Sequence, residues 1–171
     1  MAYVPQKSTA RSVVKKNGLF VLVQETKGRK AGLMNNPGGG LEWLPELSRR
    51  ETYDEGARRE TEEESGLVVA HIGLISVSYS EKRDHLKVTL AAEHIEGKLM
   101  TDSKKHPNVD VYSLDDMRRM HEARELVEGA YEAALTYEQG DLMPLETTDY
   151  LVAAAVGRPI ALPSEQMLEA A

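Results

Sequence analysis

Glu51-Thr52-Tyr53-Asp54-Glu55-Gly56-Ala57-Arg58-Arg59-Glu60-Thr61-Glu62-Glu63-Glu64-Ser65-Gly66-Leu67 is the stretch of this 171-residue chain that says most about its fold. Thr52 with Glu55 three residues on forms a capping box, which starts a helix, and Gly66 supplies the residue that ends one. The pattern predicts a helix over 52–65. At about 100° per residue, Tyr53, Gly56, Ala57, Glu60, Glu63 and Glu64 share one sector, and Asp54, Glu55, Arg58 and Glu62 lie opposite. Small and apolar residues mark a face that packs closely, so the three glutamates are expected on a packing face. Carboxylates at i, i+3 and i+4 repel one another and are costly to desolvate. A hard divalent cation offsets both, and Mg²⁺ takes a few carboxylates together with waters and substrate phosphates. Arg59 sits at the border of the face, placed to pair with Glu55 or Glu63. A solvated charged helix is the competing reading, since nine of the 28 acids lie between Glu42 and Glu64.

Upstream, a polar lead (Met1–Ala10) precedes Arg11–Val14 and Leu19–Gln24, which flank Lys15-Lys16-Asn17-Gly18. Asn-Gly between apolar runs is a hairpin signal. A polar turn at Thr26–Lys30 leads to Ala31–Asn36 and to the punctuating Pro37-Gly38-Gly39-Gly40. Downstream, strands are expected at Leu67–Ile75, Ser76–Ser80 and Leu86–His94, the last with Leu86, Val88, Leu90 and Ala92 alternating with Lys87, Thr89, Ala91 and Glu93. Asp110–Tyr112 reads as a short final strand, and Ser113 caps a helix from Leu114. Met117, Met120, Val127, Tyr131 and Ala134 keep a helical period to about Tyr137. A break at Gly140–Pro144, a short helix near 146–156 and an Ala/Pro tail close the chain. Strands around one internal helix with a C-terminal helical layer define an α/β fold built in layers.

Composition narrows the function. Hydrophobic residues are 41% and charged residues 29%, a globular balance. Lys plus Arg is 21 against 28 for Asp plus Glu, a net charge of −7, which argues against a general nucleic-acid binder. Cysteine is absent, so thiolate zinc sites, disulfides and thiol nucleophiles are excluded. The longest apolar runs, Leu19–Val23 and Leu151–Val156, fall far short of a membrane span. A soluble cytoplasmic protein is the expectation.

Pro37-Gly38-Gly39-Gly40-Leu41-Glu42, then Glu51-Thr52, then Arg59-Glu60-Thr61-Glu62-Glu63-Glu64-Ser65-Gly66-Leu67 resembles the Nudix box, G-x5-E-x7-R-E-U-x-E-E-x-G-U, in which U is bulky and apolar. From Glu51 onward every charged and glycine position matches, with seven residues between Glu51 and Arg59. Two departures stand out. Gly39 and Glu51 enclose eleven residues where the family has five, and the six extra lie within Trp43–Arg50. Thr61 replaces an apolar residue, which reads as a mild packing loss.

The resemblance implies a Nudix-type α/β/α sandwich with a mixed central sheet and C-terminal helices. It gives a hydrolase domain over 1–138 and a helical extension with a tail over 139–171. It implies hydrolysis of a nucleoside diphosphate linked to another group X, by water attack at phosphorus with Mg²⁺ or Mn²⁺ as cofactor. Glu60, Glu63 and Glu64 are carried over as metal ligands, with a further oxygen from the carbonyl of Gly39. Glu60 is one candidate base and Arg59 belongs to the catalytic set, while Glu51 supports the site or the helix start. Asp110 is the expected distant acid, with Glu93 as its alternative. Gly39, Gly40, Trp43 and Arg83 are the substrate-binding candidates: the glycine loop by close approach, Trp43 by stacking or by anchoring its loop, Arg83 by reaching phosphates from a turn. A nucleotide-sensing module that does not cleave is the second reading, and an RNA-end processor the third. The partner expected is a small nucleotide, without nucleic acid or membrane. The helices after Leu114 are a candidate homodimer contact. ADP-ribose, nucleotide sugars, dinucleoside polyphosphates and oxidised nucleoside triphosphates all stay open as substrates, because that choice lives in loops.

Overall fold

The computed structural model describes residues 5–100 and 108–155. Met1–Val4 of the polar lead and the expected tail from Val156 lie outside the described residues. Strand β1 (Lys7–Lys16) turns through Asn17 and Gly18, both at positive φ, into β2 (Leu19–Gln24). This is the hairpin expected from Asn-Gly, with Lys15 opposite Phe20. β1 begins earlier than Arg11 because its polar N-terminal half pairs in parallel with β8 (His85–Gly97), from Lys7↔His85 to Lys15↔Glu93.

β3 (Met34–Asn35) and β4 (Gly38–Gly40) follow, and β4 lies antiparallel on β1 with Gly38 opposite Arg11. β5 (Trp43–Leu44) and β6 (Arg49–Arg50) pair only with each other, a small hairpin before helix α1 (Tyr53–Ser65). β7 (Leu67–Ser80) is one strand where two were expected. Its register against β8 shifts at three places, and these irregularities carry the chain past the glycine and serine positions that read as breaks. β9 (Val109–Tyr112) pairs with β2. The main sheet runs β3-β2-β1-β8-β7, with β4 on β1 and β9 on β2, and is mixed because β1 and β8 are parallel.

Strand alternation assigns the two faces. Ala10, Leu74, Val88 and Leu90 pack with Ala57 of α1. Val13, Phe20, Ile75 and Ala91 point the other way, against α2 (Leu114–Glu122) and α3 (Ala130–Gln139). The α/β/α layering is therefore present. One helix expected from Leu114 to Tyr137 is in fact two. Met34 exchanges backbone hydrogen bonds with the segment between them, donating to Glu125 O at 2.9 Å and accepting from Val127 N at 2.9 Å. That pairing buries Leu126 and Val127 without helix, and Arg124 (φ 60°) and Gly129 (φ 86°) make the bends.

Beyond α3, Met143 pairs with Leu74 on the free edge of β7, through hydrogen bonds of 2.8 and 2.9 Å. Helix α4 (Thr148–Ala155) then lies on the α1 face, where Leu151 and Val152 join the core. The described part of the expected extension thus packs on the same sheet. Among the described residues no helix is long and apolar enough to cross a membrane.

The helix that matters most is held at both ends. Thr52 accepts from Glu55 N, Glu55 returns the bond to Thr52 N, and Gly66 caps the C-terminus at φ 75°. Thr52→Ala removes one of the acceptors that satisfy the first turn and is expected to destabilise the protein by about 1 kcal/mol. Thermal melting followed by circular dichroism should show a Tm lower by about 2–4 °C.

Candidate active site

Pairing of β4 with β1 sets a glycine backbone directly over α1. Glu60 and Glu64, on the buried face of the helix, are only 8% and 6% exposed. Glu64 accepts the N–H of Gly38 at 3.0 Å. Gly39 lies so close to Glu60 that a Cβ there would stand 2.5 Å from its carboxyl carbon, so a side chain at this position would displace the carboxylate. Gly40, next along, has open space at that position. Glu63 is not on the buried face as expected. Its side chain is 45% exposed, because the buried arc turns toward Thr61 and Ser65 and leaves Glu63 at its margin.

Arg59 organises the carboxylates. Its guanidinium donates to both oxygens of Glu51 (2.7 and 3.0 Å) and to Gly40 O (2.9 Å). It also lies 3.0 Å from Glu60, 3.3 Å from Glu63 and 3.8 Å from Glu42. The Arg59–Glu55 pairing weighed from the sequence does not form; Glu55 is held instead by Arg49 at 2.6 and 2.7 Å. The Arg59 hydrogen bonds hold the buried Glu51 carboxyl below the usual carboxylate range, against the opposing effect of burial. Glu51 also accepts Glu42 N at 2.8 Å, while its own N–H donates to Glu42 O at 2.9 Å. Those two bonds close the neck of the β5–β6 hairpin, so the segment with the extra residues loops out without displacing Glu51. Among the described residues no three carboxylate or imidazole side chains converge closely enough to hold a metal ion. Arg59 stands between Glu60 and Glu63, and Glu64 turns to the glycine strand.

A second polar cluster anchors α1 from beneath. Ser12 and Thr61 are fully buried, and His71 is 7% exposed. His71 Nδ1 meets Asp54 at 2.7 Å and its Nε2 meets Ser12 Oγ at 2.9 Å, while Thr61 Oγ1 lies 2.8 Å from Ser12 Oγ and donates to Ala57 O at 2.7 Å. With Nδ1 protonated, the neutral ring donates to Asp54 and accepts from Ser12. Thr61 is thus a member of a buried hydrogen-bond network joining α1, β1 and β7, not the packing loss its polarity suggests.

The other predicted residues are dispersed. Asp110 is exposed on β9, two strands from β1, with its carboxylate accepting Val111 N at 2.8 Å. Glu93 is exposed on β8. Trp43 is 57% exposed at the base of the hairpin. Arg83 is exposed in the turn between β7 and β8, and its charge is felt at Lys30. Residues the sequence reading did not use are Ser12, His71, Arg11, Lys30 and Lys87. A polar Arg11-Ser12 pair inside an apolar strand was the one signal available for them.

The NUDIX domain family matches residues 6–133, and the chain therefore belongs to that family and is a hydrolase of phosphoanhydride bonds. NUDIX hydrolases act on small nucleotide derivatives and generally use divalent metal ions. In fold the chain is similar to a NUDIX hydrolase from Nitrosomonas europaea, with TM-score 0.64 and 21% identity over 82% of this chain and 93% of that one. It is also similar to an ADP-ribose pyrophosphatase from Streptococcus suis (TM-score 0.52, 23% identity, 66% of this chain and 77% of that one). A UDP-X diphosphatase gives TM-score 0.58 at 16% identity, over 84% of this chain and 68% of that one. No curated protein matches the chain in sequence.

Gly39→Ala displaces the Glu60 carboxylate, the end of a flexible side chain that can swing aside, and should destabilise by no more than about 1 kcal/mol. Gly40→Ala meets open space and should stay within about 0.5 kcal/mol of the parent in urea unfolding. Burial, outweighing the hydrogen bond and charge of Asp54, pushes the His71 pKa below its ordinary value. The unfolded chain therefore binds the proton first, and stability is expected to fall as pH drops below about 6.5 and to level off beneath the lowered value. Urea midpoints between pH 8 and 5 should show this slope, and His71→Gln should flatten it.

Proposed function

We propose that the chain is a metal-dependent pyrophosphohydrolase that cleaves the diphosphate bridge of a nucleoside diphosphate derivative by water attack at phosphorus. The observation that carries this reading is the placement of Glu60 and Glu64: two buried carboxylates pressed against a glycine backbone, beside a single guanidinium shared among Glu42, Glu51, Glu60 and Glu63. Carboxylates gathered in a partly buried place are costly to desolvate, and a divalent cation offsets that cost. The donors are all hard oxygens, which fit Mg²⁺ or Mn²⁺.

In this proposal Glu60, Glu63 and Glu64, which do not converge by themselves, would be drawn together around the ion, with the Gly39 carbonyl as a further oxygen. When bound, such an ion neutralises phosphate oxygens and acidifies a water. Glu51 fixes Arg59, and Arg59 in turn positions Glu60 and Glu63. Asp110 takes no part, since β9 carries it away from α1. The two relatives named for ADP-ribose and UDP-X hydrolysis support a diphosphate-bridged nucleotide as substrate, with the particular X left to residues outside α1.

Hydrolysis of ADP-ribose and UDP-sugars should require Mg²⁺ or Mn²⁺ and stop on chelation with EDTA. Glu60→Gln and Glu64→Gln should each lower kcat/KM at least about a hundredfold, a loss of near 3 kcal/mol of transition-state stabilisation. Nucleotide binding without turnover under either ion, across the whole panel, would make the chain a sensor and overturn the proposal.

A further inference from the structure

The face by which α1 meets the sheet is largely polar. Its buried residues are Gly56, Ala57, Glu60, Thr61, Glu64 and Ser65, and Ala57 alone among them has an apolar side chain. Tyr53 adds a partly buried ring at the first turn. Apolar contact is non-directional, and a single methyl group does little to fix how the middle turns are rotated. That rotation matters for the site. A helix is about 10–12 Å across with its side chains, so a turn of about 10° moves a carboxylate at the rim by about 1 Å. A binding constellation tolerates about 0.5 Å.

A run of hydrogen bonds through three elements supplies the missing direction. Asp54 on α1 meets His71 Nδ1 on β7 at 2.7 Å, His71 Nε2 meets Ser12 Oγ on β1 at 2.9 Å, and the Thr61 hydroxyl returns the run to α1 at 2.8 Å from Ser12 Oγ. With Nδ1 protonated, Ser12 gives its proton to the ring and keeps its oxygen as an acceptor. The Thr61 proton is then shared between that oxygen and Ala57 O, which lies at 2.7 Å. Ser12 and Thr61 are closed to solvent, so bulk water cannot replace a partner that either one loses. Thr61 follows Glu60 and stands three residues before Glu64, so a bond that pins Thr61 pins the turn carrying both carboxylates. The outcome is visible on the other side of that turn, where Glu64 accepts Gly38 N–H at 3.0 Å and Glu60 stands against Gly39.

We propose that Thr61 is a positioning residue: its hydroxyl, tied through Ser12 and His71 to Asp54, sets the rotation of α1 that aims Glu60 and Glu64 at the glycine strand. The role belongs to the hydroxyl and not to the bulk of the side chain. That sets this chain apart from the family pattern, which has a bulky apolar residue where Thr61 stands. The consequence for cation binding rests on the hydrolase reading, and the consequence for the Gly38–Glu64 contact does not.

Two substitutions at one position separate hydroxyl from bulk. Thr61→Val keeps the shape and removes the hydroxyl, whereas Thr61→Ser keeps the hydroxyl and removes a methyl group. Packing alone ranks valine above serine, and positioning by the hydroxyl ranks serine above valine. Calorimetric titration with Mn²⁺, on full chains whose fold is checked by circular dichroism, reads the first effect. Thr61→Val should weaken the Kd about tenfold, the low end of what losing an outer partner costs a metal site, and Thr61→Ser should stay within about twofold of the parent. Ser12→Ala breaks the same run from β1; its loss should match that of valine without adding to it, and it carries the comparison with serine if the valine chain does not fold. Hydrogen exchange of the Gly38 N–H in metal-free protein, followed by NMR, is an independent readout, because Glu64 holds that proton. It should exchange about tenfold faster in Thr61→Val and at the parental rate in Thr61→Ser. Valine matching or exceeding serine in either measurement overturns the positioning role and leaves the hydrolase standing. A parent chain that binds no Mn²⁺, yet loses Gly38 protection with valine, overturns the metal reading and leaves the positioning role standing.

Discussion

Arg59 donating to both oxygens of Glu51 is the interaction on which the arrangement around α1 depends. Glu51 precedes the helix, and its backbone and side chain are both tied to Glu42 across the neck of the β5–β6 hairpin. The guanidinium is thereby fixed from outside its own helix. A fixed guanidinium then aligns Glu60 and Glu63 and holds the carbonyl of Gly40. Paired charges this close are individually modest in stabilising the fold, because desolvation offsets much of the Coulomb gain. Their value is geometric. Without Arg59 the carboxylates of one short helix would repel one another, and the carbonyl of Gly40 would lose its side-chain donor.

The same helix meets the sheet through polar atoms as well as apolar ones. Ala57 packs into the core with Ala10 and Leu90, while Thr61 and Ser12 bring hydroxyls into the same interface. Each buried hydroxyl would be costly alone, and each is satisfied: Thr61 by Ala57 O, Ser12 by His71, His71 by Asp54. A directional network admits fewer arrangements than oily contact does. It fixes the rotation of α1 about its axis, and that rotation decides which glutamates are buried. Glu60 and Glu64 fall inside, and Glu63 stays at the edge.

Helix α1 was legible in the sequence because every signal that forms it is local: Thr52 and Glu55 at one end, Gly66 at the other, small residues between. The hairpin at Asn17-Gly18 was legible for the same reason. The break between α2 and α3 was not, since Leu126 and Val127 leave the helical path to pair with Met34, some ninety residues earlier, and no nearby residue announces it. Arg59 choosing Glu51 over Glu55 was hidden likewise, because the choice depends on Arg49 capturing Glu55 from the hairpin. Ser12 and His71 stand 59 residues apart, and neither is unusual by itself. What sequence could supply was a set of carboxylates with a preferred face; what it could not supply was which distant residue each one would meet.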